Sequence, residues 1–219
     1  MTGHKTYRIN IDNRWSLEDL YVFPRTYEQV YFAVESLIEI EDEADLERIN
    51  RAFLAFPWMG GYSAVNFYNQ LKFATPPNRR PAIKEMKYAS PGYIDLILNL
   101  PLAVQFASSV ASIAGSIGVC NAVYNQIHSG LQRRKLLRME VERKRLELSQ
   151  AKLDYVLDSS EKLAKIMGLP SAQALHARTF DPLISLKILL SIYRRLRKLA
   201  EFKNRHKADL TLPIPDKSK

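Results

Sequence analysis

Residues 96–132 contain no Asp, Glu, Lys or Arg, although a quarter of the 219-residue chain is charged. This 37-residue run is the strongest constraint on the fold, and it is expected to form the organising element of the protein. As one helix it would be roughly 55 Å long at about 1.5 Å per residue. A bilayer core needs only about 20 apolar residues. Asn99, Pro101, Gln105, Asn121, Asn125 and several serines dilute its hydropathy, and the most apolar window lies around residues 102–120. Two readings stand: insertion into or contact with a membrane, and a buried central helix of a soluble bundle. Gly115 and Gly118 also offer a place to bend the run into a helical hairpin.

The internal pattern is more specific than the absence of charge. Ala103, Ala107, Ala111 and Gly115 recur every four residues, so on a helix they share one face and form a packing ridge that lets another backbone approach closely. Phe106, Val110, Ile113 and Ile117 form a bulky stripe, and Gln105, Ser109, Ser112 and Ser116 a polar one. In a protein that perforates membranes, the polar stripe would face the lumen. Such a helix is built for close assembly with other helices.

Positive charge follows at once. The chain's formal net charge of +9 is uneven: residues 1–95 hold 11 basic against 13 acidic side chains, residues 131–167 hold 10 against 6, and residues 183–207 hold 8 against 1. Arg133, Arg134, Lys135, Arg138, Arg143, Lys144 and Arg145 directly follow the uncharged run, where a cytoplasmic flank or an anionic head-group contact would place them. Residues 131–167 read as one long helix with an imperfect coiled-coil pattern, closed by Gly168 and Pro170. Residues 182–205 read as a basic amphipathic helix carrying Arg194, Arg195, Arg197 and Lys198, a type that lies on membranes or docks by its apolar face. These eleven cations are the candidate anionic-surface residues. Nucleic acid is a rival anionic partner, with Tyr193 as a stacking side chain.

The N-terminal part reads as a small mixed unit. Tyr7, Ile9 and Ile11 alternate with polar residues as a strand. Ser16 with Asp19 has the form of a capping box opening a helix, which Pro24 is expected to kink or split. Residues 44–56 read as a second helix, and Gly60-Gly61 as a turn. Residues 65–71 fit a strand, and residues 83–88 a third strand. The aromatic concentration at Tyr21, Phe23, Tyr27, Tyr31, Phe53, Phe56, Trp58 and Tyr62 reads as core.

The expected fold is therefore α+β and mostly helical. A small strand–helix–strand–strand domain (1–92) precedes the uncharged segment (93–132), a basic helical region (133–209) and a tail (210–219). Cys120 is the lone cysteine, and the four histidines are scattered. No phosphate loop, zinc framework or nucleophile elbow is present in the sequence, so no catalytic, cofactor or metal residue is assigned and no small-molecule substrate is evident. The start of the chain lacks the apolar run of a signal peptide.

The stretch Tyr88-Ala89-Ser90-Pro91-Gly92, ahead of the uncharged helix and the basic helix, resembles the layout of uncharacterised bacterial proteins associated with conflict or anti-phage gene clusters. The resemblance spans about residues 82–150 and implies no activity and no functional residues. The expected function is non-enzymatic: a membrane-associated, oligomerising protein in the cytoplasm or on the inner face of the cell membrane, a membrane effector in bacterial defence. The alternative is a soluble helical adaptor or nucleic-acid-binding subunit of a larger complex.

Overall fold

The computed structural model describes residues 5–37, 42–55, 62–136, 149–169 and 172–210 of the chain. Among them the fold is mostly helical α+β, with eight α-helices and one four-stranded antiparallel sheet. In chain order the elements are β1 (Lys5–Ile11), α1 (Leu17–Glu35), α2 (Glu43–Leu54), α3 (Tyr62–Ala74), β2 (Ala82–Lys87) and β3 (Gly92–Leu98). They continue with α4 (Leu100–Gly115), α5 (Ile117–Arg133), α6 (Gln150–Ile166), α7 (Gln173–Thr179), α8 (Pro182–Asn204) and β4 (Ala208–Asp209).

The sheet order is β2-β3-β1-β4. Tyr7, Ile9 and Ile11 of β1 and Ile94, Leu96 and Leu98 of β3 are buried on one face, the period-2 pattern of a half-covered sheet. On the other face Arg8 lies directly opposite Asp95. It grips that carboxylate with two bonds of 2.7 Å and stacks 3.9 Å over the Tyr93 ring. The guanidinium holds the Asp95 carboxyl below the usual carboxylate range. Between β2 and β3, Gly92 is obligatory: a Cβ there would lie 2.8 Å from the backbone N and O of Ala89.

The capping box of α1 is present, with Asp19 N donating to Ser16 Oγ at 3.1 Å and Ser16 N to Asp19 Oδ2 at 2.7 Å. Pro24, however, neither splits nor ends the helix. It sits on the exposed side of α1, where the hydrogen bond it removes falls outside the core. The expected strand at residues 65–71 is helix α3. Ala64, Phe67, Tyr68, Leu71 and Ala74 are its buried positions, and their spacing of three and four residues gives one helix face. The alternation of apolar and polar residues there was coincidental.

Two further expectations are corrected. Residues 131–167 are not one helix: α5 ends at Arg133, Lys135 has φ 57°, and α6 begins at Gln150. Nor is the uncharged run the hub of the fold. Its first residues complete β3, and the helix with most neighbours is α8, which packs against α1, α4, α5, α6 and α7. From Leu183 to Tyr193 every residue of α8 except Ile184 is buried, and beyond it Leu196, Leu199, Ala200 and Phe202 keep one face buried. One continuous core runs from Tyr7 to Leu210 around it.

Candidate contact surface

The uncharged run forms an elbow. α4 and α5 meet at 91°, and the turn is made at Ser116, with φ −135° and ψ 31°. Ser116 N still donates to Ile113 O at 3.2 Å, while Ser116 O accepts from Cys120 N at 3.0 Å, so one residue closes α4 and opens α5. The small-residue ridge is divided by this geometry. Ala103 and Ala107 are buried where α4 crosses α8, and Phe106, Val110 and Ile113 of the bulky stripe are buried with them. Ala111 and Gly115 are exposed, and a Cβ added at Gly115 or Gly118 would meet nothing within 4 Å. The close helix contact expected of the ridge is thus made inside the chain by its first half, while its second half stands outside.

The polar stripe is divided in the same way. Ser109 is buried and Gln105 half-buried, whereas Ser112 and Ser116 are exposed. Two of the hydroxyls return to their own helix, Ser109 Oγ to Gln105 O at 3.2 Å and Ser116 Oγ to Ser112 O at 2.8 Å. At the corner the outward side chains are Ala111, Ser112, Ser116 and Val119, the last 67% exposed. The result is a projecting knuckle of small and apolar groups without a charge. No single described helix is long and apolar enough to cross a membrane, and α4 with α5 pass that test only as a bent pair.

The basic residues separate by environment. Arg133 and Lys135 are exposed at the end of α5, as are Arg194 and Lys198 on α8. Arg134 lies 3.8 Å over the Tyr155 ring and donates to Gly130 O at 3.3 Å, which ties α5 to α6. Arg197 pairs with Glu201 at 3.4 Å. Arg195 belongs to the interior: its Nε donates to Gln29 at 2.7 Å, its Nη1 to Ser191 Oγ at 2.7 Å, and its guanidinium covers the Tyr68 ring at 3.9 Å. It is a packing cation, not a surface one. Arg138, Arg143, Lys144 and Arg145 lie outside the described residues.

Tyr193 is not a free stacking surface. It is fully buried, stacks on Tyr124 at 5.1 Å and donates to Asn121 Oδ1 at 3.0 Å. Sequence reasoning also passed over Arg205, which is exposed just past the last turn of α8. Asn204 Nδ2 donates to Ala114 O at 3.1 Å, so this turn is hydrogen-bonded to α4 beside the elbow. The alternation of Lys203, Arg205 and Lys207 was the available signal. Lys207 is occupied by Asp19 at 2.6 Å and Lys203 by Asp209, whereas Arg205 is exposed and shares a cleft with Lys198, Glu18, Asp19 and Glu201.

Among the described residues no group of three or more His, Cys, Asp or Glu side chains is placed to hold a metal ion. Comparison with protein-family models, curated proteins and solved structures returns no match.

Proposed function

We propose that the protein is a non-enzymatic, oligomerising factor that works on the cytoplasmic face of an anionic membrane, touching the bilayer with the α4–α5 elbow. The observation that carries this reading is the outward corner itself: Ala111, Ser112, Gly115, Ser116, Gly118 and Val119 are all exposed and all uncharged. Arg205 is the residue after Asn204, whose side chain is bonded to Ala114 O of α4. Small side chains let the backbone come close to head groups, Val119 supplies a shallow apolar anchor, and each nearby cation adds about 1 kcal/mol at an anionic surface. The burial of Ala103, Phe106, Ala107 and Val110 against α8 and α1 favours contact over spanning, because insertion of α4 would strip the core of that face. Ala111 and Gly115 remain available to a second copy gathered on the same surface. In the bacterial setting that the layout resemblance implies, such a protein would act as a membrane effector.

The test is co-sedimentation with phosphatidylcholine vesicles prepared with and without phosphatidylserine. Binding is expected only with phosphatidylserine, is expected to weaken with salt, and is expected to fall about tenfold in Val119→Asp, since removing one partly buried apolar anchor is worth about 1.4 kcal/mol. Arg205→Glu is expected to lower binding as well. Undiminished binding of Val119→Asp, or equal recovery on neutral vesicles, would sink the proposal. A chain that ignores vesicles but captures a partner protein through the elbow would instead be the adaptor.

A further inference from the structure

A second surface lies away from the elbow, on the edge of the sheet. β2 is exposed along its whole length, and its pairing with β3 contains a one-residue shift: Ile83 faces Leu96, Glu85 faces Asp95 and Met86 faces Ile94, leaving Lys84 as the extra residue. In a regular strand, residues three apart point to opposite faces. The bulge changes this. Because Leu96 and Ile94 share the core face, Ile83 and Met86 are brought to that same face.

That face is not covered. Leu20, Phe23 and Tyr27 of α1 face Ile83 and Met86 of β2 and Ile94 and Leu96 of β3 across a groove of about 400 Å³. Ile9, Phe23, Ile83, Met86, Ile94 and Leu96 are among its walls. Ile83 is 61% and Met86 40% exposed, so the bulge directs two apolar side chains into an open, water-accessible slot. The volume falls in the range of about 300–1,000 Å³ of small-molecule sites.

The rim sets the sign of the ligand. Arg25 and Glu28 of α1 stand at the groove. Glu28 is engaged by Lys72 at 2.7 Å. Arg25 contacts the Tyr21 hydroxyl and ring and has no carboxylate partner among the described residues. With Glu28 neutralised by Lys72, Arg25 is the uncompensated charge among the groove-lining residues. An apolar slot with a net positive rim fits a molecule with an apolar tail and one anionic head. Another strand is disfavoured there, because a bulge and lysines on an edge strand are features that block strand addition.

We propose that this groove binds a single-chain carboxylate amphiphile, its tail between α1 and β2 and its head at Arg25. Trp15 supplies a reporter, since its ring lies 5.3 Å from that of Phe23 in the groove wall. The sequence has one other tryptophan, Trp58. In Trp58→Phe protein, titration with decanoate below its micelle-forming concentration is expected to change Trp15 fluorescence saturably. Calorimetry on the unsubstituted chain is expected to give one site per chain. Arg25→Gln is expected to weaken decanoate about threefold, the worth of one exposed ion pair, and to leave decanol unchanged. Ile83→Asp, at a position already exposed, is expected to weaken both at least about tenfold. If phosphatidylserine vesicles displace decanoate from the groove, the source of the acyl chain is the membrane; if they do not, it is free in solution. A titration without saturation, decanoate affinity unchanged in both variants, or an Ile83-dependent dimer in place of ligand binding would overturn the assignment. None of these readouts involves Val119 or Arg205, so this site and the elbow stand or fall separately.

Discussion

Phe106→Ala is expected to lower the unfolding free energy by about 3–5 kcal/mol, whereas Ala111→Leu, little more than one turn further along α4, is expected to stay within about 0.5 kcal/mol. The contrast follows from the direction in which each side chain points. Phe106 is 1% exposed and meets Tyr27 of α1 edge to face, with centroids 4.8 Å apart. Truncation removes a large apolar side chain and that aromatic pair, and it leaves a cavity among rigid neighbours. Ala111 faces solvent, so added methylenes meet no wall. Denaturant unfolding followed by circular dichroism measures both. A Phe106→Ala loss below about 1 kcal/mol would mean that α4 is not packed as a core helix, and the argument for a contacting elbow over a spanning one would go with it.

The second large effect is a pH dependence centred on Glu35. Burial raises this carboxyl from 4.5 to about 7, against the opposing pull of Arg79, whose Nε lies 3.1 Å from it. Arg79 also reaches Asp45 at 3.5 Å, so one guanidinium joins α1, α2 and the turn before β2. Glu35 Oε2 is buried with no hydrogen-bond partner. The unfolded chain ionises near 4.5 while the native protein keeps the proton until about pH 7, so the native state binds more protons across that window. Stability therefore falls as pH rises from 4.5 to about 7, and the loss is complete above it. Its size is on the order of 3 kcal/mol. Between pH 5 and pH 8 the protein is expected to lose more stability than Glu35→Gln, which has no proton to release, by roughly that amount. Parallel pH profiles for the two chains would show that Glu35 is not the cause.

How far the fold was legible depended on whether the signal was local. The capping box at Ser16 and Asp19, the alternation in β1 and the two ends of α8 rest on neighbours in sequence, and each was readable. The elbow was half readable: Gly115 and Gly118 marked the bend, and it became a right-angled turn at Ser116. Where the answer depended on distant partners, sequence reasoning failed. Phe67 and Leu71 satisfy a strand and a helix equally well, and only the burial of Ala64 and Tyr68 beside them separates the two. The cations of α8 read as a surface, yet Arg195 is satisfied by Gln29, Tyr68 and Ser191, two of them more than a hundred residues away. The α1–β2 groove was invisible for a similar reason. Without the extra residue at Lys84, Ile83 and Met86 would fall on opposite faces, and nothing local to β2 announces the shift.

The claim that the elbow meets the membrane is tested most directly by the surroundings of Val119 itself. With Cys120 replaced by alanine, an environment-sensitive fluorophore is placed on a cysteine at position 119 and, in a second chain, at the exposed position 151 on α6. On vesicles containing phosphatidylserine, the label at 119 is expected to shift to the blue and become shielded from an aqueous quencher, while the label at 151 keeps its emission in water. No shift at 119, or the same shift at both positions, would contradict the account.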